Sequence, residues 1–147
     1  MISLPLLEKS LTLREAPGGT QVFDPVRRGW FLLTREEHVR QLLLAHLVDD
    51  LSYPPSLIAV ERKLEGPLPR RFDLVVFSRD THQPWMLVEC KEPDVRITET
   101  TLHQLLAYQK TIGARYWLLT NGLTTFCADA ASHSAIRWMD ALPPYEL

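Results

Sequence analysis

Two short runs constrain the fold more than any other part of the chain: residues 72–77, Phe-Asp-Leu-Val-Val-Phe, and residues 85–90, Trp-Met-Leu-Val-Glu-Cys. Apolar, β-branched and aromatic side chains fill both, and residues 79–84 between them have turn chemistry. The two runs are therefore expected to pair as an antiparallel hairpin. Each run nevertheless carries a carboxylate, Asp73 in the first and Glu89 in the second, and Lys91 follows directly. Central strands avoid ionised groups, because burying a charge without a partner is costly. Three such groups at the ends of otherwise apolar strands are tolerable if they meet one another, a metal ion, or both.

The flanking sequence supplies helices. Thr34 is expected to cap a helix, with Glu36 and Glu37 in the first turn where the helix dipole favours negative charge. Val39, Leu42, Leu43, Leu47 and Leu51 then follow at helical spacing, leaving Glu37, Arg40 and Gln41 largely off the apolar stripe. Ser52-Tyr53-Pro54-Pro55 stops the helix, since each proline disfavours helical geometry in the residue before it. Residues 57–64 read as a half-exposed strand. A second helix is expected over 98–112, with Thr98 as N-cap, an apolar face of Leu102, Leu105, Leu106 and Ile112, and Gly113 just past its end. Gln104 and Tyr108 are four apart on it and project together. Residues 115–120 and 123–128 read as a strand pair joined at Asn121-Gly122 by a type I′ turn.

Residues 1–33 read as an N-terminal extension of short extended pieces, with a loose hairpin about Ala16-Pro17-Gly18-Gly19, and residues 34–147 as the domain proper. The order of helix, three strands, helix and two strands makes this an α/β fold. At 147 residues, 46% of them hydrophobic, one domain with a self-sufficient core is expected. Leu42-Leu43-Leu44-Ala45 is far too short an aliphatic run to span a membrane, and Met1-Ile2-Ser3-Leu4-Pro5 does not open a signal peptide. Cys90 and Cys127 have no metal-ligand spacing, so a reduced, cytoplasmic protein with no membrane partner is expected. The net charge of −2 does not advertise nucleic acid, although basic residues pair up as Arg27-Arg28, Arg62-Lys63 and Arg70-Arg71.

Strand parity puts Asp73 with Val75 and Phe77 on one face of the first run, and Phe72 with Leu74 and Val76 on the other. On the second run Leu87, Glu89 and Lys91 share one face, and Met86, Val88 and Cys90 the other. Oxygens from Asp73 and Glu89 suit Mg2+ or Mn2+, hard ions that keep several waters and bridge to phosphate, and the Cys90 carbonyl can add a ligand. Lys91, beside Glu89, can neutralise charge building on a phosphate. An isolated Glu-x-Lys is equally an ion pair at a sheet end. Cys90 itself reads as a small buried hydrophobe, and the five histidines show no zinc spacing.

The wider pattern is more specific. Arg71-Phe72-Asp73-Leu74-Val75-Val76, followed after a turn by Leu87-Val88-Glu89-Cys90-Lys91-Glu92-Pro93, resembles the PD-(D/E)XK nuclease superfamily. There an Asp opens one strand and a Glu-x-Lys ends the next. The chain is similar in particular to the family named after the N-terminal domain of type I restriction enzyme R subunits. Asp24-Pro25 with Arg27, residues 33–41 (Leu-Thr-Arg-Glu-Glu-His-Val-Arg-Gln), Tyr53-Pro54 with Leu57-Ile58 and Val60-Glu61, Gln104 with Tyr108, and Thr120-Asn121-Gly122 match it too. They fall in the right order over residues 24–128. Phe72 stands where the superfamily name has a proline.

The resemblance implies a restriction-endonuclease-like core, a mixed central sheet of four to five strands flanked by helices. It implies Asp73, Glu89, the Cys90 carbonyl and Glu37 as ligands of Mg2+ or Mn2+, and Lys91 as catalytic lysine. Gln104 would lie near the site, and Tyr108 one turn further along. The function implied is metal-dependent hydrolysis of phosphodiester bonds, with DNA as the expected substrate. The alternative is a non-catalytic nucleic-acid-binding or protein-docking module of a restriction or defence complex. No Gly-x-x-x-x-Gly-Lys-Ser/Thr loop occurs, so the motor activity of a restriction subunit is not expected here. Targeting is expected from a larger assembly, a homodimer, or the chain's own basic pairs.

Overall fold

The expected hairpin forms and lies inside a larger sheet than its sequence suggests. This computed structural model describes residues 1–4, 6–64, 70–107, 112–132 and 135–146. Strands β1 (Leu13–Ala16), β2 (Gly19–Asp24) and β3 (Gly29–Leu32) come first and form a small antiparallel sheet. Helix α1 (Arg35–Ala45) follows, then β4 (Ile58–Leu64), β5 (Arg70–Phe77) and β6 (Pro84–Cys90). Helix α2 (Glu99–Leu106) leads to β7 (Tyr116–Thr120), β8 (Thr125–Ser132) and β9 (Ala135–Trp138). Strands β4 to β9 lie side by side in chain order as one six-stranded sheet. Every pairing in it is antiparallel except β6 with β7, whose parallel register is reached through the α2 crossover.

The sheet is covered on both faces. Val39, Leu42 and Leu43 of α1 pack with Leu74, Val76 and Val88 on one side. On the other, Leu102, Leu105 and Leu106 of α2 pack with Val75, Leu87 and Trp117. This explains why β6 is apolar at almost every position: both of its faces are buried. The C-terminal tail closes one edge of the first core. Tyr53 donates to the Pro143 carbonyl at 2.6 Å, and Tyr145 donates to the Phe77 carbonyl at 2.7 Å while packing against Trp85. Among the described residues no helix is long and apolar enough to cross a membrane.

Several expectations need correction. The sheet has six strands rather than four or five, because β8 runs on to Ser132 and β9 pairs back on it. The short extended pieces of residues 1–33 are more ordered than expected, since β3 completes a three-stranded sheet with the expected hairpin. Helix α1 ends at Ala45 and continues as a π-helical turn, His46–Asp50, before Ser52 takes a φ of 60°. The connection at Asn121 is a four-residue loop between Thr120 and Thr125 rather than a type I′ turn. A type I′ turn needs positive φ at both central residues, and here only Gly122 has it, at 89°. Asn121 instead accepts the Leu123 and Thr124 amides on its side chain, at 2.9 and 2.7 Å. Thr98 stands at the N-cap of α2 without a side-chain capping bond. The expected last turn of that helix, with Tyr108, lies outside the described residues.

Candidate active site at the open end of the central hairpin

The β5–β6 ladder stops at Leu74 opposite Val88, so Asp73 and Glu89 are the first positions beyond it. On the other side of β5 the pairing with β4 omits Glu61 and Asp73, where Glu61 takes a left-handed φ of 54°. Regular alternation is broken there. Phe72 packs with Val75, Leu87 and Trp117 in the α2 core rather than with Leu74 and Val76. Asp73 does not simply follow the Val75 face as parity expects. Its Oδ1 accepts from Arg40 of α1 at 3.2 Å, and its Oδ2 accepts the Cys90 amide at 2.8 Å. A side chain thus ties the two strand ends together where backbone pairing has ceased.

The flank on the α1 side is a chain of alternating charges. Thr34 accepts the Glu37 amide at 3.0 Å, as expected of an N-cap, and fixes the first turn. Arg40, one turn on, grips both oxygens of Glu37 at 2.6 and 2.9 Å. Glu37 also receives Arg27 at 2.6 Å, and Arg27 in turn reaches Asp24 at 2.6 Å while lying over the Phe31 ring. Asp24 is fully buried and further accepts the Val26 and Arg27 amides and the Gln41 side chain. Burial by itself would raise both carboxyls; the bonds from Arg40 and Arg27 outweigh it at Glu37. At Asp24 the Arg27 amide and side chain, Gln41 and the Val26 amide do so, and both groups are held below the usual carboxylate range.

Glu37 and its neighbour Glu36 therefore face different environments. Glu37 is buried and held by two guanidinium groups. Glu36 opens into a cleft of about 500 Å³ that Glu37, Arg40, Glu61 and Glu92 also line. Its carboxyl is raised by partial burial and by the Asp73 charge, with Lys91 acting in the opposite sense. Glu36 is thus the α1 acid that feels Asp73 and Lys91.

On the α2 side the arrangement is open. Glu89, Lys91 and Gln104 line a cavity of about 170 Å³ with Thr101, Leu105 and Leu119. The Lys91 amide donates to the Thr120 carbonyl at 2.9 Å, and Asn121 donates to the Val95 carbonyl at 2.8 Å, holding the chain beyond Lys91 against the end of β7. Cys90, between Glu89 and Lys91, points into the opposite core as expected. Burial, and then the Asp73 charge, push its thiol well above the usual range, so it is inert.

The structure brings Glu89, Lys91 and Gln104 to one cavity and Asp73 to the amide of the residue between Glu89 and Lys91; Glu37 is engaged elsewhere. Among the described residues no three His, Cys, Asp or Glu side chains converge as a ready metal cage. The donor chemistry still fits a hard divalent ion, which needs only one or two carboxylates and fills its other positions with carbonyls and water. Asp24, Arg27, Glu36, Arg40, Gln41 and Glu61 had no site role in the sequence reading. The available signal was the spacing of Glu37, Arg40 and Gln41 at i, i+3 and i+4, one contiguous polar strip beside the apolar stripe.

A model of the type I restriction enzyme R protein N terminus matches residues 35–143, from the first turn of α1 to the docked tail, and so includes Asp73, Glu89, Lys91 and Gln104. No curated protein matches the chain.

Proposed function

The chain belongs to the type I restriction enzyme R protein N-terminal family, and from that premise we propose that it is a metal-dependent nuclease hydrolysing phosphodiester bonds in DNA. We read the six-stranded sheet with its two helices as a restriction-endonuclease-like core spanning residues 34–147, buttressed by the small sheet of the N-terminal extension. The observation that carries this reading is the opened strand end. There the Asp73 carboxylate meets the Cys90 amide, while Glu89 and Lys91, on either side of Cys90, line a cavity with Gln104.

In this reading Asp73, Glu89 and the Cys90 carbonyl hold Mg2+ or Mn2+. The Cys90 amide is directed at Asp73, and in extended backbone the carbonyl of the same residue leaves the strand on that side. On α1, Glu36 rather than the expected Glu37 is open to the neighbouring cleft, where it would act through a bound water, while the Glu37 oxygens serve Arg27 and Arg40. The ion would polarise a phosphoryl oxygen and acidify a bound water. Lys91 sets an ammonium beside the phosphate and neutralises charge that builds on its oxygens. Gln104 offers an amide across the cavity to orient phosphate or lysine. The family is that of a restriction-enzyme subunit, and we place sequence targeting in partner subunits or a second copy.

One observation favours the alternative of a non-catalytic docking or nucleic-acid-binding module: Asp73 already has a counter-charge in Arg40, at 3.2 Å. Cleavage decides between them. Supercoiled plasmid, linear duplex and single-stranded DNA are incubated with the full chain in Mg2+ or Mn2+, with a chelator control and Glu89→Gln beside it. The nuclease reading expects metal-dependent cleavage that Glu89→Gln abolishes. Equal background from both proteins across all three substrates would leave the docking module.

A further inference from the structure

We propose that Arg40 is a resident cation of the site, standing where a second divalent ion would be held, so that the centre takes one metal ion per chain. This rests on the metal-binding reading above and goes beyond it by fixing the ion count and the residue that sets it. Arg40 is 5% exposed, yet its guanidinium reaches carboxylates from three different elements: Glu37 of α1, Asp73 of β5 and Glu61 of β4. All three of its nitrogens are used. Nε and Nη2 hold the two Glu37 oxygens, Nη1 holds Asp73 Oδ1, and Nη2 also approaches Glu61 at 3.4 Å.

In its usual bridging mode a carboxylate sets one oxygen on each of two metal ions. Asp73 cannot do so while Oδ1 faces Arg40, which leaves Oδ2 on the Cys90 side. Of the acids on that flank, Glu37 and Glu61 face the same guanidinium, while Glu36 opens into the cleft beside it. Arg40 is also hard to displace. The far side of Glu37 is gripped by Arg27, and Arg27 is pinned by fully buried Asp24 and by the Phe31 ring 3.5 Å beneath it. Swinging Arg40 out would leave Asp73, only 12% exposed, without that counter-charge and strip Glu37 of one of its two guanidinium partners, a costly state. The guanidinium thus contributes fixed positive charge behind Asp73, needs no binding step, and excludes an ion from the same space. Arg40 is accordingly a positioning residue and acts on substrate through Asp73.

The test counts ions without relying on turnover. Mn2+ is titrated into the full chain, with bound ion measured by calorimetry and free ion by the electron paramagnetic resonance signal of hexaaqua Mn2+. The wild type is expected to take one ion, with no spectrum of an exchange-coupled pair. Arg40→Met removes the charge at similar length and should raise the count from one to two, whereas Arg40→Lys keeps a cation and should stay at one. Two ions in the wild type, or a folded Arg40→Met protein that still takes one, would overturn the proposal. Should Arg40→Met not fold, the wild-type and Arg40→Lys counts decide, and two ions in either overturns it. No bound ion at all removes the metal reading and this inference with it. One bound ion without DNA cleavage upholds the inference while the nuclease reading fails.

Discussion

The two flanks of the strand end at Asp73 follow opposite electrostatic rules. Toward α1, Asp24, Arg27, Glu37, Arg40 and Asp73 alternate in sign, each link at 3.2 Å or less. Toward α2, Glu89, Lys91 and Gln104 surround a cavity. A network whose charges are matched in turn resists rearrangement and holds geometry; a cavity lined by an ammonium and an amide can receive a phosphate. The lesson is a division of labour: the end of the small N-terminal sheet and α1 fix where Asp73 points, and under the proposed function the α2 side is the one that meets substrate.

The largest expected effect comes from breaking the matched flank. Asp24→Ala leaves Arg27, Gln41 and two backbone amides without their acceptor, and should cost about 3–5 kcal/mol in urea denaturation. On the other flank Gln104 is exposed, so Gln104→Ala should stay within about 0.5 kcal/mol of wild type while slowing cleavage. Equal costs at the two positions would erase the contrast between them.

Next in size is the coupling along the chain of charges. A double-mutant cycle of Arg27→Met and Arg40→Met, both acting on Glu37, should show an interaction of about 0.5–3 kcal/mol. Additive losses would mean that the two arginines hold Glu37 independently.

Acid sharpens the same comparison. Asp24 and Glu37 are held below their ordinary values, so the stability they contribute is fully present above the unfolded-state carboxylate range of about 4 and is lost as pH falls through their folded values. Arg27→Met withdraws a bond that lowers each of them and should move the acid-unfolding midpoint, followed by circular dichroism, to higher pH. Gln104→Ala should leave that midpoint where it is.

Much of this was legible in the sequence, and the gaps have physical causes. The β5–β6 hairpin was readable because both strands are buried on two faces and so are nearly all apolar. Thr34 was readable because its hydroxyl serves a local amide three residues on. Asp73, Glu89 and Lys91 stood out as ionised residues in apolar strands. What was missed depends on long-range partners. Glu37, Arg40 and Gln41 look like helix surface until Asp24, at the end of β2, and Arg27, in the turn after it, cover them. Strand β9 has an exposed pattern without alternation, and only its pairing with β8 makes it a strand. The loop at Asn121 misled because Asn-Gly favours a two-residue turn, while here the Asn side chain caps a longer one. Phe72 left its expected face because the ladder on either side of Asp73 has opened, a tertiary event without a local sequence mark.

The most direct test of the division of labour is the cleavage rate of an end-labelled DNA by wild type and Lys91→Ala at saturating Mg2+, with Mn2+ binding followed in the same preparations. Lys91 lines the receptive flank and does not belong to the matched network. The account predicts that Lys91→Ala still binds the ion and keeps its fold but cleaves about 10²–10³-fold more slowly. Undiminished cleavage by Lys91→Ala, or wild-type protein that binds the ion without cutting DNA, would contradict it.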